Sequence, residues 1–220
     1  MQAHGFEIHA LMLNAATLNS KPSIPARTTE GLEESFAVNV CASLLLAQEL
    51  MPAIVPDGRI VVTGSEAGGL VQWKLNPNSL EGEAGMGPGG LTQYARTKVA
   101  LHACFGELAA RLGARVHICV FHPGAVSSSL GNNVSPVLAA VLKSFLWFFF
   151  RSAEQGAVLG LHAACAAEPV SGYLNDGEFG TPRDVSVKPI PGAQDADVNT
   201  ATFQAVERRI RDALAVQVAT

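Results

Sequence analysis

The chain has 220 residues, 48% of them hydrophobic, which suffices for a single α/β core with a small appended region. Its net charge of -4, with 15 lysines and arginines and no basic stripe interleaved with aromatics, argues against a nucleic-acid partner. Cys41, Cys104, Cys119 and Cys165 stand singly in apolar contexts without ligand spacing, so they read as reduced core thiols, and no metal is expected.

Residues 6–15 read as a first strand ending at Asn14. Residues 1–10 carry His4, Glu7 and His9 and no apolar run behind a basic leader, so a cytoplasmic location is expected. After a polar, Pro-containing loop over 17–27, Thr28 or Thr29 is placed to cap a helix over 30–50, whose early carboxylates Glu30, Glu33 and Glu34 suit the helix dipole. Phe36, Val40, Leu44 and Ala47 form its apolar stripe, with Asn39 between them. Pro52 and Pro56 end it, and Asp57-Gly58 turns the chain into a buried strand over 59–63, followed by a small-residue turn exposing Ser65.

Residues 69–90, rich in glycine and carrying Trp73, are a long loop near the site, able to fold back above Ser65 and Tyr94. A helix over 91–112 follows, with Leu101, Phe105, Leu108 and Leu112 on one face and Gly113 as its stop. A strand over 116–121 leads into His122, Pro123 and Gly124. The segment 131–151 is strongly apolar but too short and too interrupted, by Lys143, to span a membrane. It stands as a substrate lid, a surface segment that touches a membrane, or ordinary core. A helix over 152–167 with Ala153, Ala157, Leu161 and Ala164 at helical spacing, and a short strand over 170–174, come next. The C-terminal extension, 181–220, holds a final helix around 202–216 that packs on the domain or on a partner subunit. Successive strand–helix–strand units predict a parallel sheet, and ligands gather at the carboxyl ends of such strands.

Within YARTK, Tyr94 and Lys98 share one helical face at i and i+4. A cation near the phenol would favour its anion and make it a usable proton donor and acceptor. Ser65, Asn39 and Asn14 approach the same strand ends. His122 reads as a structural or loop residue, and His102 and His117 as surface residues of helix and strand. GSEAG lacks the GxSxG arrangement of a hydrolase nucleophile.

Five motifs in order, LMLNAAT, FAVNV, VVTGSEAGG, YARTK and HPGAVSSSL, make the chain resemble the classical short-chain dehydrogenase/reductase family, in particular its retinol-dehydrogenase-like branch. The run RSAEQGA and the strand SGYL are similar to that branch as well. The resemblance implies an incomplete Rossmann-like three-layer sandwich with a parallel sheet, beginning at the family's fourth strand, in a single truncated domain over 1–220. It implies Ser65, Tyr94, Lys98 and Asn39 as the catalytic set. Asn14, Tyr94, Lys98, Pro123, Gly124, Val126 and Ser127 or Ser128 are implied at the nicotinamide end of NADP or NAD.

By that resemblance Tyr94 exchanges the proton, Lys98 lowers its pKa and binds the nicotinamide ribose, Ser65 orients the substrate oxygen, and Asn39 holds a water linking Lys98 to solvent. The substrate would be a small or lipophilic carbonyl or alcohol, in specialised metabolism, and the helices over 30–50 and 91–112 would build a homodimer or larger species. The family's TGxxxGxG turn has no counterpart before Leu11, and the glycines of EGEAGMGPGG follow no strand. Weak dinucleotide binding by the isolated chain is therefore expected. The alternative is a noncatalytic, truncated homologue acting as an interaction protein, or an incomplete gene product.

Overall fold

The computed structural model describes residues 5–18, 25–124, 126, 151–175, 187–193 and 195–219. Five strands form one sheet in the order β1 (Ile8–Leu13), β2 (Ile54–Thr63), β3 (Val116–His122), β4 (Gly172–Asn175) and β5 (Val187–Lys188). The first four run parallel, and β5 returns antiparallel to β4. Ile60, Val61 and Val62 of β2 and Ile118, Cys119 and Val120 of β3 are all buried, the continuous apolar run of strands covered on both faces. The returning β5 departs from the expected parallel sheet. It is a two-residue pairing, too short to carry a periodicity signal.

One face carries α1 (residues 34–50), α2 (Leu91–Leu112) and α4 (Ala196–Ala219). Phe36, Val40, Leu44 and Ala47 of α1 are fully buried there, as the stripe requires, each large side chain contributing about 1.5–3 kcal/mol. By length and composition the helix Glu34–Ala53 would also pass as a membrane span, yet that same stripe is committed to the core. The opposite face is covered by α3 (Ala153–Cys165), which packs Leu159 and Ala163 on Val61, Cys119, Phe121 and Leu174. The result is a three-layer α/β sandwich of Rossmann type.

Local chemistry moves several boundaries. The cap of α1 is Glu33, not Thr28 or Thr29: its carboxylate accepts from the backbone N–H of Ser35 (3.0 Å) and Phe36 (2.8 Å). The helix is π-helical over Ala37–Ala42, around Asn39, between α-helical Glu34–Phe36 and Ser43–Leu50. Of the stripe expected for α3, only Ala164 packs on the core. Ala153, Ala157 and Leu161 are exposed, and Gly156, Leu159, Gly160 and Ala163 face the sheet. The reason is close approach, since a Cβ on Gly160 would sit 2.7 Å from the Phe121 ring, so a residue that reads as a weak helix former is the contact surface. Ser152 caps this helix through a reciprocal bond with Gln155. Cys165 is exposed at its end, unlike the buried Cys41, Cys104 and Cys119.

The final helix begins earlier than expected, at Ala196, and packs on this domain. Phe203 and Val206 enter the core, the Arg111 guanidinium lies 4.1 Å over the Phe203 ring, and Gln48 donates to Glu207. The apolar stripes of α1 and α2 are thereby buried within the chain, while Leu46 of α1 stays exposed. Among the described residues, β1 has no strand on its outer side, with Phe6 and Met12 exposed beside that edge.

Candidate active site

The carboxyl ends of the parallel strands bring Asn14, Ser65 and Pro123 to one edge of the sheet, because Leu13 pairs with Val62 and Thr63 with Phe121. Above it stands the start of α2. Tyr94, Lys98 and His102 recur every four residues along that helix, so they form one stripe. Lys98 is buried, and its ammonium donates to the Thr63 carbonyl at 2.9 Å. Desolvation lowers its pKa to about 8. The ammonium lies 5.7 Å from the Tyr94 ring centroid. Burial raises the Tyr94 pKa, and the nearby Ser65 side chain opposes that rise only in part. The expected lowering by Lys98 is not the balance here, since desolvation of the phenolate outweighs the neighbouring interactions.

Ser65 opens the 3-10 turn Glu66–Val71, its hydroxyl accepting from Ala67 N at 3.1 Å. Ser65 and Tyr94 are therefore brought together, with Lys98 one turn along. Asn39 is buried, and its side chain has a structural task of its own. Its Oδ1 accepts from Thr17 N (2.7 Å) and its Nδ2 donates to Thr17 O (3.0 Å) and Thr97 Oγ1 (2.9 Å). The side-chain amide joins the loop after β1 to Thr97, the residue before Lys98. Asn14 accepts from Thr63 Oγ1 at 2.8 Å, tying the ends of β1 and β2.

Pro123, Gly124 and Val126 follow β3 and rest on the start of α3, where a Cβ on Gly156 would meet Val126 at 2.5 Å. Gly124 takes φ +81, a left-handed conformation where a side chain would also strike Arg151. Ser127, Ser128 and the apolar segment over 131–150 lie outside the described residues. Of the residues that the resemblance assigns to the nicotinamide end of a dinucleotide, the Lys98 ammonium keeps donors beyond the one on Thr63 O, and Pro123, Gly124 and Val126 stand just after β3. The pyrophosphate finds no comparable place among the described helix starts. α1 opens on the Glu33 carboxylate, α3 on Ser152 and Gln155, α4 near Asp195, which accepts from Val198 N, and α2 opens at Gly90 after a loop, not a strand.

Two features escape the motif reading. The first is a carboxylate clamp on the loop over 69–90. Buried Glu81 accepts from Arg27 Nη1 (3.0 Å), Glu33 N (3.0 Å) and Arg209 Nε (2.8 Å). Gln93 adds bonds to Glu33 (3.1 Å) and Leu80 O (2.8 Å), and Arg96 donates to Gly85 O and Ala84 O. No motif marks a carboxylate in a glycine-rich stretch as buried. The second is His102, expected on the surface and found fully buried, with its pKa lowered to about 3, chiefly by desolvation. Its spacing of four from Lys98 was the available signal. His117 is half-buried on β3, with Ser171 Oγ at 3.0 Å.

Fold and site together define an α/β protein of Rossmann type that holds a hydroxyl, a phenol and an ammonium at the carboxyl ends of its strands. The chain belongs to the short-chain dehydrogenase family, whose model matches residues 1–138, and within it to the retinol-dehydrogenase-like branch. Retinol dehydrogenase 14 of Mus musculus is 33% identical over 159 residues, covering 68% of this chain and 46% of its own length. Polyprenol dehydrogenase of Mus musculus is 31% identical over 199 residues, covering 83% and 57%. A solved structure of an uncharacterised protein from Mycobacterium Paratuberculosis superposes with a TM-score of 0.67 at 19% identity, over 93% of this chain and 68% of that one, and shows the same fold. The chain spans about half the length of the curated relatives it matches.

Proposed function

We propose that this chain carries the substrate-reacting half of a nicotinamide-dependent oxidoreductase that interconverts a carbonyl and an alcohol on a small or lipophilic metabolite. The observation that carries the reading is geometric: the buried Lys98, anchored on Thr63 O at 2.9 Å, holds its ammonium 5.7 Å from the centroid of the Tyr94 ring, beside the turn that Ser65 opens. A bound NADP or NAD would exchange a hydride with the substrate carbon. Tyr94 gives its proton to the substrate oxygen during reduction and takes it back during oxidation, and burial keeps the phenol protonated until the oxygen calls for the proton. Ser65 shares a hydrogen bond with that oxygen and orients it. Lys98, anchored on Thr63 O, places positive charge beside the phenol and offers donors to the nicotinamide ribose. Asn39 sets Thr97, and with it the turn that carries Tyr94 and Lys98. The names of the retinol and polyprenol dehydrogenases among its relatives support an apolar alcohol or aldehyde as substrate.

Dinucleotide binding by the 220-residue chain is weak in this reading, because its described helix starts leave the pyrophosphate unplaced. A second copy, or further chain pairing on the free edge of β1, completes the sheet, and a homodimer or larger species forms along that edge. The expected location is the cytoplasm, checked by cell fractionation. Calorimetric titration with NAD and NADP, run beside carbonyl reduction by wild type and Tyr94→Phe, tests the proposal. Weak binding and turnover abolished in Tyr94→Phe are expected. Micromolar binding overturns the half-site argument, and undiminished turnover in Tyr94→Phe overturns the role of the phenol. A chain that binds neither nucleotide and shows no turnover, even when the sheet edge is filled, favours the noncatalytic interaction protein.

A further inference from the structure

Of the three polar residues on the α2 stripe, Tyr94 and Lys98 enter the proposed chemistry and His102 does not. Its ring is fully buried, yet both nitrogens are engaged. Nδ1 lies 3.1 Å from Pro191 O, and Nε2 lies 3.4 Å from Ser65 N. The polarity of the partners fixes the tautomer: a carbonyl only accepts, so Nδ1 carries the proton, and a backbone N–H only donates, so Nε2 is the bare acceptor.

The surroundings of the ring are shaped to hold it there. Trp73 stacks on it with centroids 5.5 Å apart at 25°, and Tyr173 leans on it at 5.5 Å and 55°. A Cβ on Gly64 would stand 2.4 Å from Nε2, so only glycine lets the strand end pass this close. Trp73 and Gln72 take φ of 56 and 54, a left-handed backbone that costs of order 1–2 kcal/mol per residue. That strain is offset where the indole covers Gly68, whose Cβ would lie 2.4 Å from the Trp73 ring. Tyr173 donates to Glu66 at 2.6 Å, fastening the residue after Ser65 as well. Along one stripe, then, Lys98 holds the Thr63 carbonyl, His102 packs against Gly64 and holds the Ser65 amide, and Tyr94 stands one turn before Lys98 on the side of Ser65.

We propose that His102 is a positioning residue for Ser65, an Nδ1–H imidazole that fixes the Ser65 amide against α2 and so sets the Ser65 hydroxyl within reach of Tyr94. The inference rests on the reading of Ser65, Tyr94 and Lys98 as the reacting site. Through Pro191 the same ring connects the segment between β5 and α4 to the serine, so the end of the chain takes part in building the site.

Long-range nitrogen–proton NMR of the wild-type 220-residue chain tests the tautomer without any substitution. An Nδ1–H imidazole that does not titrate between about pH 5 and 8, where an ordinary histidine changes charge, is expected. His102→Phe keeps a ring between Trp73 and Tyr173 and removes both nitrogens, whereas His102→Gln returns an acceptor near the Nε2 position. The Ser65 amide should exchange its proton at least about tenfold faster in His102→Phe, with Ile60, Val61 and Val62 unchanged, and recover in His102→Gln. In reduction of an apolar aldehyde with NADPH, kcat falls about tenfold in His102→Phe with KM for NADPH unchanged, and His102→Gln restores it. A wild type without turnover, even with the sheet edge filled, would sink the oxidoreductase reading and leave the tautomer and the Ser65 exchange to decide this one. An Nε2–H tautomer, a titration near the ordinary histidine value, or Ser65 exchange in His102→Phe equal to wild type overturns it. If His102→Phe does not fold, the wild-type tautomer decides.

Discussion

Replacing Lys98 by Met should change how stability depends on pH, with a sign opposite to that of a surface lysine. Burial lowers the Lys98 pKa from 10.5 to about 8. Between those two values the unfolded chain binds a proton that the folded chain has given up. Stability therefore rises with pH through this window, and at about 1.4 kcal/mol per unit the gain is roughly 3 kcal/mol. Methionine fills similar space without a charge but deprives Thr63 O of its donor, which costs about 1–3 kcal/mol. The two effects nearly offset near neutral pH, so the slope is the informative quantity. Buried Cys41, with its pKa raised from 9.0 to about 12, lowers stability as pH rises above 9.0. It does so in both proteins and cancels in the difference. Urea unfolding followed by tryptophan fluorescence from pH 7 to 10.5 should show the stability of Lys98→Met, relative to wild type, falling by roughly 3 kcal/mol, with most of the fall above pH 8. Parallel stability curves for the two proteins would refute the burial argument.

Glu81→Ala strips Arg27, Arg209 and the Glu33 amide of their acceptor at once. A loss of about 3 kcal/mol is expected in thermal or urea unfolding, the low end for breaking a buried pair, because both guanidinium groups are about half exposed and rehydrate. Sedimentation over a concentration series should reveal association that a proline or lysine placed at Met12 on the β1 edge suppresses, while truncating exposed Leu214 on α4 leaves it unchanged. A monomer at every concentration would count against the edge.

What was legible in the sequence was whatever follows from period and spacing. The stripe of Phe36, Val40, Leu44 and Ala47 predicted a buried face because helices repeat every 3.6 residues. The helix over Leu91–Leu112 could be bounded to the residue, because glycine stands at its C-cap and a glycine-rich turn before it. The spacing of four between Tyr94 and Lys98 put both on one face of that helix, and the small residues after β2 put Ser65 at a turn. What failed rested on tertiary contacts. Gly156 and Gly160 look like helix weaknesses until the Val126 and Phe121 side chains come against them. His102 looks like a surface residue until Trp73 and Tyr173 close over it, and neither contact leaves a local trace. Glu81 is a polar loop residue whose partners sit at both ends of the chain. The cap of α1 went to Glu33 and not to a threonine because the chain reaches the helix through an Arg27–Glu33 bridge that leaves the threonines outside.

The Glu81 clamp has a kinetic consequence. Arg27 and Arg209 lie 54 and 128 residues from Glu81 along the chain, so both ion pairs close long loops and are made only after α1, α2 and the sheet have come together. Contacts absent from the transition state govern the rate of unfolding and leave the rate of folding almost untouched. The loop that carries Glu81 is thus held by a latch of persistence: in stopped-flow experiments Glu81→Ala should refold at the wild-type rate and unfold faster by about two orders of magnitude. A slowed refolding arm would mean that the latch is already closed in the nucleus.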